Sequence, residues 1–387
     1  MTIEASLFWA SAAWVAYVWI GYPLILKLLA LVRTFEVKAD GAYLPTVSVL
    51  IAARNEEKDI RWKVLQTLGW EYPAERLEVL VGSDASTDGT DEAVQSVSDP
   101  RLKFIRNEQR SGKTKTLNRL ARQANGELLF FTDANTHIEP QCLKLVVRHF
   151  ADKRVGCVTG MESNVTGPEV SAITAGSNAY LNYECLIDSL ESRLGSVLVC
   201  DGSIYCLRRE FFGNLDPDLA NDLEHPVRAG AAGAAILYEP TARSLEHCTS
   251  SPREDFGRRR RIAAQGALAM WRLRRQLRGL RLWQFVSRKL MRWLTMLPLA
   301  GVLVASFLLR HESLFGALFA VQAACYATAL VGLWQPAYSR LNSLLRLPFA
   351  FLLANIAVFV GVIDACRQRK FATWNIAELS RGANSQG

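Results

Sequence analysis

Long apolar stretches at both ends of the chain limit its fold more than any other feature. Residues 7–32, LFWASAAWVAYVWIGYPLILKLLALV, hold a single charge, Lys27. A helix of that length crosses a hydrocarbon core of about 30 Å. A secretory leader would begin basic and stay short, whereas this segment follows Glu4 and runs long. Three further apolar stretches, at about 293–309, 314–334 and 345–366, close the chain. Half of the 387 residues are hydrophobic, and they pool at these two ends. The middle is left with the composition of a water-exposed domain, long enough to bury a substantial core.

Lys27, Arg33 and Lys38 sit at or just after the end of the first stretch. The positive-inside rule therefore puts the N-terminus outside and residue 34 onward in the cytosol, at the inner cell membrane. Three crossings in the tail would leave Arg367, Arg369 and Lys370 outside, against the same rule. The stretch near 293–309, short and interrupted by Pro298, is thus open to being re-entrant or interfacial. The expected division is a membrane helix over 1–34, a catalytic domain over 44–250, a basic segment over 251–290, membrane helices over 291–366 and a tail over 367–387.

The formal charge of +8 is local. Residues 253–292 hold thirteen Lys and Arg against Glu254 and Asp255, so the rest of the chain is net acidic. A basic segment beside apolar spans points to anionic lipid or phosphate rather than nucleic acid. On a helical wheel Met270, Leu273, Leu277, Leu280 and Trp283 oppose Arg274, Arg275, Arg278 and Arg281. That pattern suits a helix lying in the headgroup plane, or a basic helix packed on the soluble domain. The eight cysteines show no CxxC pair and no metal-ligand spacing, and read as small buried hydrophobes in a reducing compartment.

In the middle, VSVLIAA (47–53), LEVLVG (77–82) and ELLFFT (127–132) are short apolar runs. Such runs fit strands buried on both faces of a parallel sheet. Helix-like stretches at 56–68, 88–97 and 113–124 alternate with them, which predicts βαβ units and a doubly wound α/β sheet. Ligands of such sheets bind beyond the carboxyl ends of the strands. There stand Ala53-Arg54-Asn55-Glu56-Glu57, Ser83-Asp84-Ala85-Ser86-Thr87-Asp88-Gly89 and Asp133-Ala134-Asn135.

The series VSVLIAARNEE, LVGSDASTDGT, SGKTKTLN and GELLFFTDANT resembles the inverting family 2 glycosyltransferases with a GT-A fold. Among them it looks most like the membrane synthases of poly-N-acetylglucosamine, cellulose and hyaluronan. The likeness runs over about residues 44–290. It implies that Asp84 contacts the uracil and ribose of a UDP-sugar donor, with Ala53, Asn55, Glu56 and Lys113 lining the same pocket. Asp133 matches the first aspartate of the DxD metal motif, but Asn135 replaces the second. An amide oxygen still ligates Mg²⁺ or Mn²⁺, without charge. Asp201 and Gly202 resemble the acceptor-side strand, and Asn221-Asp222-Leu223-Glu224 stands in place of the TED motif. Asp222 thereby aligns with the catalytic base and Glu224 is its rival. Arg258 to Arg261 and Ile262 occupy the place of QxxRW, of which only Arg261 matches outright.

The chemistry asks for such groups. A departing nucleoside diphosphate gains negative charge, which a divalent ion and Arg258, Arg259 and Arg261 would offset. An attacking hydroxyl must lose a proton, which one carboxylate accepts, and attack opposite the leaving group inverts the anomeric centre. UDP-N-acetylglucosamine or UDP-glucose is the expected donor, and a growing glycan or a lipid-linked, membrane-associated glycan the acceptor. Single-sugar transfer to a polyprenyl phosphate or another lipid and an inactive membrane subunit serving a partner remain as alternatives. Gly112-Lys113-Thr114 imitates the end of a P-loop, but Asn107 stands where its first glycine belongs. Asp88 reads as a helix-start residue, and His137, His225 and His247 as structural. The Asn164-Val165-Thr166 sequon is silent in a cytosolic domain.

Overall fold

A computed structural model of the chain describes residues 2–165, 172–247, 252–334 and 343–367. The first apolar stretch is a helix, α1 (Ile3–Ala16), that continues through a π turn into α2 (Tyr22–Val32). The soluble part then alternates strand and helix: β1 (Val47–Ala53), α3 (Ile60–Leu68), β2 (Leu77–Asp84), α4 (Thr90–Gln95), β3 (Leu102–Asn107), α5 (Lys113–Gln123) and β4 (Leu128–Asp133). After β5 (His137–Ile138) and α6 (Cys142–Val147) come β6 (Val155–Val165), α7 (Ala172–Arg193), β7 (Tyr205–Arg208), α8 (Asn221–Ala231) and β8 (Ala235–His247). Helices make up the rest of the described residues: α9 (Pro252–Leu273), α10 (Gly279–Phe285), α11 (Met291–Trp293), α12 (Met296–Leu308), α13 (Ser313–Trp334) and α14 (Ser343–Cys366).

The eight strands form one sheet in the order β3-β2-β1-β4-β7-β6-β8-β5. Its β3-β2-β1-β4 half is parallel, as the alternation predicts, and β7 enters antiparallel between β4 and β6. Every residue of β1 is buried. Val47, Val49, Ile51 and Ala53 face one core with Ile60 and Val64 of α3, while Leu50 and Ala52 face the other with Leu117 and Leu120 of α5. Helices therefore cover both faces of one mixed sheet.

Among the described residues three helices are long and apolar enough to cross a membrane: Ile3–Val32, Ser313–Leu330 and Pro348–Cys366. The expected stretch near 293–309 is different. Helix α12 has 13 residues, roughly 20 Å, too short to span alone. It is joined to the α10–α11 helix, Gly279–Trp293, by a 56° bend.

The basic segment is not one amphipathic helix. Helix α9 stops at Leu273, and Gly279 takes φ +53 before α10 begins. Leu273 and Leu277 are buried against Leu198, Leu219, Leu223 and Val227 of the sheet domain. Of the two packings open to the sequence, the apolar stripe takes the one against protein. Farther back, α9 runs along α14, so closely that a Cβ on Gly361 would collide with the Arg260 carbonyl.

Candidate active site

The strand ends lie level: Ala52 pairs with Asp133, Ala53 with Ser83 and Asp84 with Asn107. Chain reversal directly after them strains the backbone, and Asn55 (φ +54) and Ala85 (φ +52) both adopt left-handed conformations. For alanine that conformation is costly, of the kind found where a site fixes the chain. Asn55 Oδ1 accepts from the Thr87 N–H at 2.9 Å, and the Glu56 N–H donates to Thr90 Oγ1 at 2.8 Å, tying the first strand end to the second. Ala53 and Glu56 are buried beside them.

Asp84 is fully buried. Its Oδ1 accepts from the Ser111 N–H (2.7 Å), Ser111 Oγ (2.9 Å) and Asn107 Nδ2 (3.2 Å), and its Oδ2 from the Gly112 N–H (2.8 Å). Gly112 reaches this pose with φ +90. In this conformation Asp84 therefore orders the loop that precedes Lys113. Lys113 in turn opens α5 and ion-pairs with Asp133, whose carboxylate is about one-third exposed. The GKT triplet thus delivers its lysine to a carboxylate at a strand end.

Asp222, at the start of α8, lies within electrostatic reach of Lys113 and Asp133. It keeps an exposed edge, yet crowding raises its carboxyl above the ordinary value, a push that the Asp133 charge adds to and Lys113 and Lys289 oppose. Gly202 makes room for it: a Cβ there would stand 3.3 Å from Asp222 Oδ2. Asp201 shapes that turn by accepting from the Ser203 N–H at 2.8 Å and Oγ at 2.6 Å. Glu224 is sealed in the core, ion-paired with Arg228 and accepting the Asp216 N–H at 3.0 Å. Its role is structural, which leaves Asp222 as the carboxylate of this motif that faces the strand ends.

Consecutive helix residues turn by about 100°, so the four arginines of α9 diverge. Arg258 reaches Glu162 at 3.5 Å. Arg259 pairs with Asp255 at 2.8 Å and lies over the Tyr180 ring, away from the strand ends. Arg260 pairs with Asp364 of α14 at 2.5 Å. Arg261 alone of the four is turned toward Asp222 and Asp133: burial and the Arg258 charge lower its pKa, and those two carboxylates raise it. Its Nε is buried and makes no hydrogen bond among the described residues.

Lys63 went unread as a site residue. It is fully buried on α3, its Nζ donates to the Thr136 carbonyl at 2.6 Å, and burial pushes its pKa down to about 7 against the pull of Asp133. It thus holds the turn that carries Asp133 and the exposed Asn135. The signal was a lysine at a core-facing position among Ile60, Val64 and Thr67.

A divalent ion would find one carboxylate and one amide oxygen here, hard donors suited to Mg²⁺ or Mn²⁺ once phosphate oxygens complete the shell. Among the described residues no group of three or more His, Cys, Asp or Glu could hold a metal. His137 stacks on Trp62, and His225 is buried against the Tyr205 hydroxyl at 2.9 Å with its pKa pushed down by burial to about 3. The His247 side chain and the end of the Asn164-Val165-Thr166 sequon lie outside the described residues.

Comparison with known proteins agrees with this architecture. The sequence matches the glycosyl transferase family 2 profile over residues 48–186 and that of glycosyl transferase family group 2 over residues 128–359. It is 29% identical over 219 residues to the probable glycosyltransferase YdaM of Bacillus subtilis, covering 52% of this chain and 51% of that protein. It is 24% identical over 323 residues to beta-monoglucosyldiacylglycerol synthase of Synechocystis, covering 79% and 61%. The chain therefore spans only part of the length of these curated relatives. A mannosyltransferase from Pyrobaculum calidifontis, solved with GDP-Man and Mn²⁺, superposes with a TM-score of 0.72 at 21% identity, covering 94% of this chain and 99% of that one. At that identity the likeness is one of fold.

Proposed function

The chain belongs to glycosyl transferase family 2, and from that premise we propose that it is a membrane-bound inverting transferase. Its donor on this reading is a UDP-sugar, UDP-N-acetylglucosamine or UDP-glucose being favoured, and its acceptor is held at the bilayer. The observation that carries it is the meeting of Lys113, Asp133, Asp222 and Arg261 at the strand ends.

In this mechanism Ala53, Asn55 and Glu56 wall the nucleotide pocket, and Asp84 meets the base and ribose when the Ser111–Gly112 loop yields. Asp133 and Asn135 would hold Mg²⁺ or Mn²⁺, which when bound supplies charge to the diphosphate. Lys113 moves from Asp133 to the phosphates, and Arg261 adds a second cation to the oxygen that leaves. Asp222, its affinity for a proton raised by burial, takes the proton of the attacking hydroxyl. Attack from the Gly202 side, opposite the diphosphate, inverts the anomeric carbon. Arg258 and Arg259 support α9 from their own acidic partners.

The arrangement in the cell follows from charge and hydropathy. The 1–34 and 291–366 segments hold the enzyme in the inner membrane, with the 44–250 domain and the 251–290 segment on the cytosolic side. A partner subunit in the membrane is compatible with that placement.

The test is a screen of UDP-sugars on detergent-solubilised protein with Mg²⁺ or Mn²⁺, read as UDP release. Asp222→Asn is expected to lower turnover by roughly 100- to 10,000-fold with the fold retained. No UDP release from any sugar donor with either ion would end the enzymatic reading and favour a subunit role.

A further inference from the structure

We propose that a cavity among the apolar helices is the acceptor site, and that the acceptor is a membrane lipid whose head carries a free hydroxyl. This rests on the donor reading above and adds to it the chemical class of the second substrate. The cavity has a volume of about 760 Å³, inside the roughly 300–1,000 Å³ range of small-molecule sites.

Its walls are apolar: Leu299 of α12, Tyr326 of α13, and Phe351, Leu352, Leu353 and Val358 of α14. The N-terminal helix, α13 and α14 are the helices able to cross a membrane. The space therefore opens at the depth where hydrocarbon chains are the abundant ligand, and such a lining disfavours water.

One end of the cavity is charged, and its charges are almost all matched. Arg259 is met by Asp255, Arg292 by Glu184, and Arg288 by Glu184, Asp188 and Glu191. Lys289 lines the same cavity and makes no hydrogen bond or ion pair with any described residue. Its charge acts on both Glu184 and Asp222. One side chain thus stands on the cavity wall and within electrostatic reach of Asp222. A lipid with its chain among the α14 side chains would set its head against Lys289, whose ammonium donates to the head oxygens, and its hydroxyl at Asp222.

The proton count favours an alcohol. The hydroxyl oxygen forms the new bond to the anomeric carbon while the bond from that carbon to the diphosphate oxygen breaks. That electron pair leaves with UDP, and the hydroxyl proton passes to Asp222. A phosphate monoester has no need of a base, and its charge would be set against the carboxylates of Asp222 and Asp133.

The full chain is reconstituted in phosphatidylcholine vesicles with labelled UDP-glucose or UDP-N-acetylglucosamine and offered dioleoylglycerol, a polyprenyl phosphate or soluble oligosaccharides. Label is expected in the diacylglycerol fraction. Ala354→Phe, which puts a ring into the cavity, is expected to raise the KM for dioleoylglycerol by about tenfold or more and to leave the donor KM within about twofold. A photoreactive diacylglycerol is expected to label residues 348–358, a readout that needs no turnover. Transfer to oligosaccharide or polyprenyl phosphate in preference to the alcohol, an unchanged lipid KM in Ala354→Phe, or labelling elsewhere overturns the proposal. If no donor is consumed while the photoprobe still marks α14, the donor reading fails and the lipid site stands.

Discussion

Arg288 and Arg261 belong to the same basic segment, yet their surroundings are opposite. Arg288 is 2% exposed, and its guanidinium meets Asp188 and Glu191 at 2.7 Å and Glu184 at 2.8 Å. Glu191 also accepts the Tyr22 hydroxyl at 2.5 Å, so this cluster fastens the N-terminal helix, α7 and the α10–α11 helix together. Among the described residues no acid is bonded to Arg261. It faces Asp222 and Asp133 across space. A buried cation ion-paired to several acids is structural, whereas one held near carboxylates without being consumed by them is available to a ligand. The partners separate these roles, since the residue type is the same.

Breaking the buried cluster should have the largest effect. Arg288→Met leaves the acids of α7 uncompensated and is expected to cost about 3–5 kcal/mol of stability. Thermal unfolding in detergent reads this as a large fall in Tm or as loss of folded protein. Arg261→Gln should do the reverse, lowering kcat by roughly 100- to 1,000-fold while Tm holds. A large Tm loss in Arg261→Gln with kcat intact would exchange the two assignments.

The smallest effect sharpens the comparison at Lys289, the sequence neighbour of Arg288. The folded Asp222 carboxyl is raised, so its basic form is lost as pH falls through a value above the ordinary aspartate range. The acid limb of kcat/KM should therefore lie above that range. Lys289 lowers the Asp222 pKa, so Lys289→Met should shift the limb upward. A limb that stays put, or moves down, would separate Lys289 from the site.

Much of the parallel half of the sheet was legible because β1, β2 and β4 are buried on both faces and carry almost unbroken apolar runs. Strand β3 escaped because it lies at the edge, where Lys103 and Arg106 interrupt the pattern. Asp84, Asp133 and Asp222 could be picked out from motif order, but the hydrogen bonds that enclose Asp84 come from a loop more than twenty residues away. The arginine run looked like one phosphate site, and helical phase sends its members to four places. The stripe from Met270 to Trp283 was legible as a stripe, but apolarity does not tell lipid from protein, and Gly279 breaks the helix between. Glu184, Asp188 and Glu191 recur along one side of α7, a signal of the buried arginine cluster that could have been found.

Arg260 and Gly361 have a mechanical consequence. The ion pair to Asp364 and the backbone contact beside it weld the helix bearing Arg261 to the last apolar helix. A shortened protein ending before Ser343 would keep every candidate carboxylate and still lose the brace that aims the guanidinium. Attempts to make the sheet domain soluble by trimming its hydrophobic tail should therefore yield a folded but poorly aligned catalyst.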